Sequence, residues 1–105
     1  MITYEVNLEV DREIAEAYCV WLRAHVDELR AVDGFREARC YEVEASRDGP
    51  RLLTVQYRVD TRGQLETYLQ EHASRLRGDG LTRFEGRFRA ERRIYSDLWQ
   101  VCVAN

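Results

Sequence analysis

The sequence has no lysine. All 16 of its basic residues are arginine. A GC-rich coding bias is the plainest source of that, so a cluster of arginines here is weak evidence of selected recognition. There is one proline, and no linker or low-complexity segment interrupts the chain. No apolar run approaches the ~18 residues that a membrane-spanning helix requires. The three cysteines, Cys19, Cys40 and Cys102, are odd in number and lack metal-ligand spacing, which argues against a disulfide framework and for a reducing, cytoplasmic setting. The opening Met1-Ile2-Thr3-Tyr4-Glu5 enters a strand at once and leaves no room for a signal peptide. The net charge of −3 argues against general nucleic-acid binding.

What is present is an echo. Val6-Asn7-Leu8-Glu9-Val10-Asp11 returns 49 residues later as Val55-Gln56-Tyr57-Arg58-Val59-Asp60, and the same offset carries Phe35 onto Phe84. Each half reads as strand, Asp cap, amphipathic helix, Gly, Phe, strand. Two such halves in 105 residues give a single α+β domain of ferredoxin-like βαββαβ pattern over residues 1–95, followed by a tail over 96–105. A domain of this size is only modestly stable alone and often gains from dimerisation. Charge divides unevenly: residues 1–48 hold 12 acids against 6 Arg, and residues 49–105 hold 7 acids against 10 Arg.

Strand one, about residues 2–10, alternates strictly. Ile2, Tyr4, Val6, Leu8 and Val10 share a buried face; Thr3, Glu5, Asn7 and Glu9 share a polar one. Asp11 caps the first helix, whose stripe includes Ile14, Tyr18, Trp21, Leu22, His25 and Leu29. Gly34 stops it. Strand two, about 35–45, has conflicting parity that a bulge would resolve. Ser46-Arg47-Asp48-Gly49-Pro50 is a hairpin turn. Strand three, about 51–60, faces Leu53, Val55, Tyr57 and Val59 inward and Thr54, Gln56 and Arg58 outward. Asp60 or Thr61 caps a second helix that Gly78 and Gly80 end. Strand four, about 83–95, sets Phe84, Phe88, Ala90 and Ile94 on one face and Arg87, Arg89, Glu91 and Arg93 on the other. The tail is compatible with a short helix carrying Leu98, Trp99 and Val101. The βαββαβ pattern brings with it an antiparallel sheet of order 4-1-3-2 with both helices on one face.

Tyr68-Leu69, Glu71-His72-Ala73, Leu76-Arg77, Gly80-Leu81, Arg83-Phe84, Gly86-Arg87-Phe88 and Arg92-Arg93 resemble an uncharacterised bacterial family known as domain of unknown function 4286. Tyr4-Glu5-Val6, Trp21-Leu22 and Val55-Gln56-Tyr57-Arg58 are similar to it as well. The resemblance extends to about Ile94; the tail beyond Tyr95 departs from it. It implies a fold of the dimeric α/β-barrel type, in which two sheets face each other across a two-fold axis, and it implies no known activity; no cofactor is expected.

The open sheet face is the candidate ligand surface. Glu5, Asn7, Glu9, Gln56, Arg58, Arg87 and Arg89 would line the space between the sheets of a homodimer, with the arginines as donors to a small anionic or polar molecule. The competing reading is a salt-bridged face that satisfies itself. His25 and His72 lie on apolar stripes, where a buried, hydrogen-bonded histidine is the plainer reading than a metal ligand or catalyst; His72 is kept as a candidate because it falls in the family-like segment. The Arg83–Phe88 string imitates an RNA-recognition signature, but its aromatics fall on the helix-packed side. No metal site is expected.

Three functions remain in competition. The first is a homodimeric binding or regulatory protein with its ligand between the sheets. The second is a cofactor-independent isomerase or oxygenase using Glu5, Glu9 or His72, which rests on fold analogy. The third is an interaction module in which Leu98, Trp99 and Val101 dock on a partner subunit.

Overall fold

A computed structural model of the chain describes residues 1–44 and 48–104. Strand β1 (Ile2–Val10) leads through a single 3-10 turn (Arg12–Ile14) into helix α1 (Ala15–Leu29); β2 (Phe35–Glu42) and β3 (Arg51–Val59) follow, then α2 (Arg62–Glu71), α3 (Ala73–Arg83) and β4 (Phe88–Ser96). The strands form one sheet of order β2-β3-β1-β4, antiparallel throughout. This is the expected ferredoxin-like α+β arrangement, with three helices in place of two.

The central pair sets the register. Tyr4 lies opposite Tyr57, Val6 opposite Val55 and Leu8 opposite Leu53, so the alternating apolar residues of both strands fall on one face and bury against the helices. Tyr18, Leu22 and Leu29 of α1 and Leu65, Tyr68 and Leu76 of α2 and α3 complete the core. In β2 the register slips between Phe35 and Glu37. This bulge resolves the conflicting parity: Phe35 packs inward on Tyr57 and Tyr68, and after it Glu37, Arg39 and Tyr41 point to the open side.

Several local expectations need correction. Asp11 makes no side-chain cap; its carboxylate instead accepts from Arg87 Nε at 2.7 Å. The second cap is Thr61, which forms a capping box with Gln64, leaving Asp60 to hold Arg36 at 2.8 Å. Gly78 and Gly80 do not end the second helix. It breaks at His72 and resumes as α3, running through both glycines to Arg83. Gly80 is where α3 crosses Trp21: a Cβ there would lie 2.5 Å from Trp21 Cη2. Strand four begins at Phe88 rather than residue 83, because a turn with Gly86 at φ +75° reverses the chain first. The tail from Asp97 to Ala104 has no helix. Of the hairpin turn, Ser46 and Arg47 lie outside the described residues, while Asp48 and Gly49 do turn. Among the described residues, no helix is long and apolar enough to cross a membrane, and no three His, Cys, Asp or Glu side chains converge as metal ligands.

Candidate functional site

The open face brings together six of the seven open-face ligand candidates. Glu5, Asn7 and Glu9 on β1 stand beside Gln56 and Arg58 on β3 and, across β1, Arg89 on β4. Glu5 is the centre. It is only 8% exposed, and its carboxylate accepts from Gln56 Nε2 at 2.9 Å, Asn7 Nδ2 at 3.0 Å and the Tyr95 hydroxyl at 2.8 Å. The Gln56 bond chiefly, against desolvation and with help from Asn7, Tyr95 and the charge of Arg93, holds the Glu5 carboxyl below the usual carboxylate range. Asn7 Oδ1 in turn accepts from Thr54 at 2.8 Å. Arg58 donates to Thr3 and forks onto Asp97 at 2.8 and 3.1 Å. Glu9 reaches Arg89 at 4.0 Å. Donors and acceptors on this face are largely matched to one another.

Arg87, His72 and the tail residues lie elsewhere. Arg87 precedes β4 and pairs with Asp11 and Glu13 at the end of the sheet, so it does not line the open face. It was read there because strand four was begun five residues too early. His72 occupies the α2–α3 junction, 3.2 Å from Arg75, on the helix side of the sheet. Leu98 and Trp99 are 88% and 78% exposed, and Val101 is exposed with them.

A second site lies inside the fold. Between the sheet and α1 and α3 is a cavity of about 50 Å³. That is room for roughly three to five waters. Its floor is the inward face of the central strands, where Tyr4 stacks on Tyr57 with centroids 5.8 Å apart. Its roof is Tyr18, Trp21 and His25 from α1, whose indole and imidazole stack at 4.8 Å. Its mouth carries Leu81 and Arg77 of α3 and Arg92 of β4; Leu81 and Arg92 are exposed, so the cavity reaches the surface.

The polar groups of this cavity are few and convergent. Arg77 donates to the Tyr4 hydroxyl at 2.6 Å, leaving that hydroxyl's own proton to point elsewhere. Among the described residues neither Arg77 nor Arg92 has a carboxylate partner, and the Arg92 side chain has no hydrogen-bond partner. His25 is buried, and its Nδ1 lies 2.9 Å from the Leu76 carbonyl. A carbonyl only accepts, so Nδ1 carries the proton and Nε2 keeps its lone pair. Burial pushes the His25 pKa down, against the Leu76 bond and Glu28, and with Arg77 and Arg92 adding to the depression; the ring is neutral at pH 7. Burial likewise raises Tyr18 to about 12 and raises Tyr57 and Tyr68, so these hydroxyls stay protonated donors.

Sequence reasoning read Tyr4, Trp21 and His25 as core and passed over Arg92. One signal was available: Arg92 has the parity of Phe88, Ala90 and Ile94, the only charge on the inward face of β4.

A model of the family described as Domain of unknown function (DUF4286) matches residues 1–97. No curated protein matches the sequence. Among solved structures, a Deinococcus radiodurans protein provisionally named an antibiotic biosynthesis monooxygenase superposes with TM-score 0.77 at 16% identity over 100% of both chains. The cofactor-independent oxygenase SnoaB of Streptomyces nogalater, in a mutant form, gives TM-score 0.68 at 10% identity over 95% of each chain. A conserved protein from Methanosarcina mazei gives 0.66 at 16% identity over 90% of this chain and 91% of that one. At such identities these similarities show the fold alone.

Proposed function

The chain belongs to the DUF4286 family, whose function is unknown, and we propose that it binds a small aromatic carboxylate in the cavity between its sheet and helices. One observation carries this reading: two arginines without carboxylate partners among the described residues, Arg77 and Arg92, flank the mouth of a cavity lined by aromatic rings. A carboxylate at the mouth would take charge-assisted bonds from both guanidiniums and from the Tyr4 hydroxyl. Its ring would then rest against the aromatic side chains that line the cavity.

The open face has a different part in this proposal. Its groups are already matched, and its charge is balanced, with Glu5, Glu9, Glu37 and Glu91 set against Arg39, Arg58, Arg89 and Arg93. Such a face can meet a second copy of itself without net repulsion, and the exposed Leu98, Trp99 and Val101 would extend the contact. The protein is then a homodimer, and its three free cysteines suit the cytoplasm.

Binding is tested by titrating benzoate and phenylacetate while following Trp21 fluorescence in a Trp99→Phe background. Saturable quenching is expected, weakened about 10- to 100-fold by Arg92→Gln, the worth of one charged hydrogen bond. Absence of saturable binding, or binding indifferent to both Arg92→Gln and Arg77→Gln, would refute the proposal. The homodimer is tested separately by light scattering on the full chain and on a chain ending at Ser96; a full-length mass equal to one subunit would rule it out.

A further inference from the structure

We infer that the cavity is a proton-transfer site, with His25 as a general base acting on an enolisable aromatic carbonyl acid. The inference rests on the binding reading above and adds chemistry to it.

The geometry leaves His25 one role to fill. Its Nδ1–H is spent on the Leu76 carbonyl, which fixes the tautomer and aims the ring. Among the described residues Nε2 has no partner, yet no buried side-chain nitrogen or oxygen lacks one. Nε2 is therefore not sealed in; it reaches open space, and the space the ring borders is the cavity. The indole of Trp21 lies flat against the imidazole at 15° and prevents it from turning away. Around the base, the facing charged groups are Arg77 from α3, Arg92 from β4 and Glu28 from its own helix. The balance is cationic, which favours an anionic product over an anionic carboxyl competitor for the proton.

The step balances without any cofactor. A C–H bond beside the substrate carbonyl breaks, its proton forms an N–H bond at His25 Nε2, and the electron pair moves to the carbonyl oxygen as an enolate. Arg77, Arg92 and the Tyr4 hydroxyl are placed to meet that oxygen and the neighbouring carboxylate. The imidazolium then returns a proton to the enolate, at carbon or at oxygen, completing exchange or tautomerisation. A neutral imidazole is the form this step needs, and burial maintains it. The lining is aromatic and the mouth cationic, so the substrate class is a small aryl acid with an acidic carbon between ring and carbonyl.

Phenylpyruvate has these features and serves as the probe. In deuterated buffer, loss of its benzylic proton signal by NMR gives the exchange rate, and Trp21 quenching gives binding on the same sample. The full-length protein is expected to accelerate exchange above the buffer rate. His25→Asn keeps a donor for the Leu76 carbonyl and removes the Nε2 base; it should retain binding and lose about 100-fold or more of the acceleration. Should that variant fold poorly, judged by far-UV circular dichroism, the pH profile of the unmodified protein decides: exchange must rise with pH through a single ionisation below 6.5, the ordinary histidine value. Binding without accelerated exchange, or exchange unchanged in His25→Asn, overturns this inference and leaves the binding proposal standing. No binding overturns both.

Discussion

Adding one methyl group to α3 at two positions should move stability in opposite directions. Ala in place of Gly in a helix interior contributes about 1 kcal/mol through propensity. At Gly78 a Cβ meets nothing within 4 Å, so Gly78→Ala should stabilise by about 0.5–1 kcal/mol. At Gly80 the same atom lands 2.5 Å from Trp21 Cη2 and 2.8 Å from Cε2, against an ordinary carbon separation of about 3.5–4.0 Å. The indole cannot easily yield, since it is stacked on His25 at 4.8 Å and packed on Tyr18 at 5.6 Å and Phe84 at 6.4 Å. Overpacking of this kind costs about 1–3 kcal/mol, and a clash of roughly 1 Å with a hemmed-in ring belongs at the upper end. Gly80→Ala should thus be destabilised by about 2 kcal/mol net, some 3 kcal/mol from its neighbour, which at this chain length separates the two melting temperatures by more than about 10 °C. Both variants are compared by thermal circular dichroism at one protein concentration, because association would otherwise shift the midpoints. A Gly80→Ala protein as stable as the unmodified chain would mean that α3 does not cross Trp21 at this distance, and the cavity roof would be misplaced with it.

Three further outcomes follow from named contacts. Thr61→Ala removes the hydroxyl that accepts from Gln64 N at 3.2 Å and should cost about 1 kcal/mol in urea denaturation; a neutral result would mean that the capping box adds nothing measurable. Glu5→Gln replaces an acceptor of three hydrogen bonds by an amide that cannot accept them all, with an expected loss of about 1–3 kcal/mol; because the Glu5 carboxyl is held below 4.5 in the fold, the stability it contributes is present above that pH and lost as the pH falls through the folded value. His25 works in the same direction for the opposite chemical reason. Its folded pKa lies below 6.5, so the unfolded chain takes up the proton first, stability falls as the pH drops below about 6.5, and the fall ends once the folded ring is protonated. His25→Asn should flatten that part of the stability curve; an unchanged slope would show that His25 is not desolvated.

The architecture was legible in the sequence because two periods carried it. Strict alternation from Ile2 to Val10 and from Leu53 to Val59 fixed the faces of the central strands, and the register agrees with both. What the periods could not carry was set by single contacts at a distance. Asp11 was given to the helix start because Asp favours that position, but Arg87, 76 residues on, competes for the same carboxylate. Gly78 and Gly80 looked like a stop because glycine weakens helices, while the close approach of Trp21 makes glycine a packing requirement at residue 80. The break at His72 leaves no clear mark in the hydrophobic stripe. The open face was found correctly as a polar cluster; that its members satisfy one another depends on side-chain rotamers, which no spacing reveals.

The inner cavity exists because the two halves of the chain differ. In the paired register Val6 meets Val55, a valine in both copies of the echo, and Tyr4 meets Tyr57 at one side of it while Leu8 meets Leu53 at the other. Strict duplication of the tyrosine at position 4 would have placed its copy at position 53, at the far end; instead both tyrosines sit together under α1. The same holds for the rest of the site. At the 49-residue offset Trp21 corresponds to Gln70, His25 to Ser74, Glu28 to Arg77 and Val43 to Arg92. Shared positions such as Val10 and Val59 are wholly buried and hold the layers together. A symmetric core would close evenly over its sheet. Large rings gathered at one end, with a glycine admitting α3 only as far as Trp21, leave a hollow on that side. The repeat therefore builds the scaffold, and its departures from itself supply the hollow, the base and the two cations.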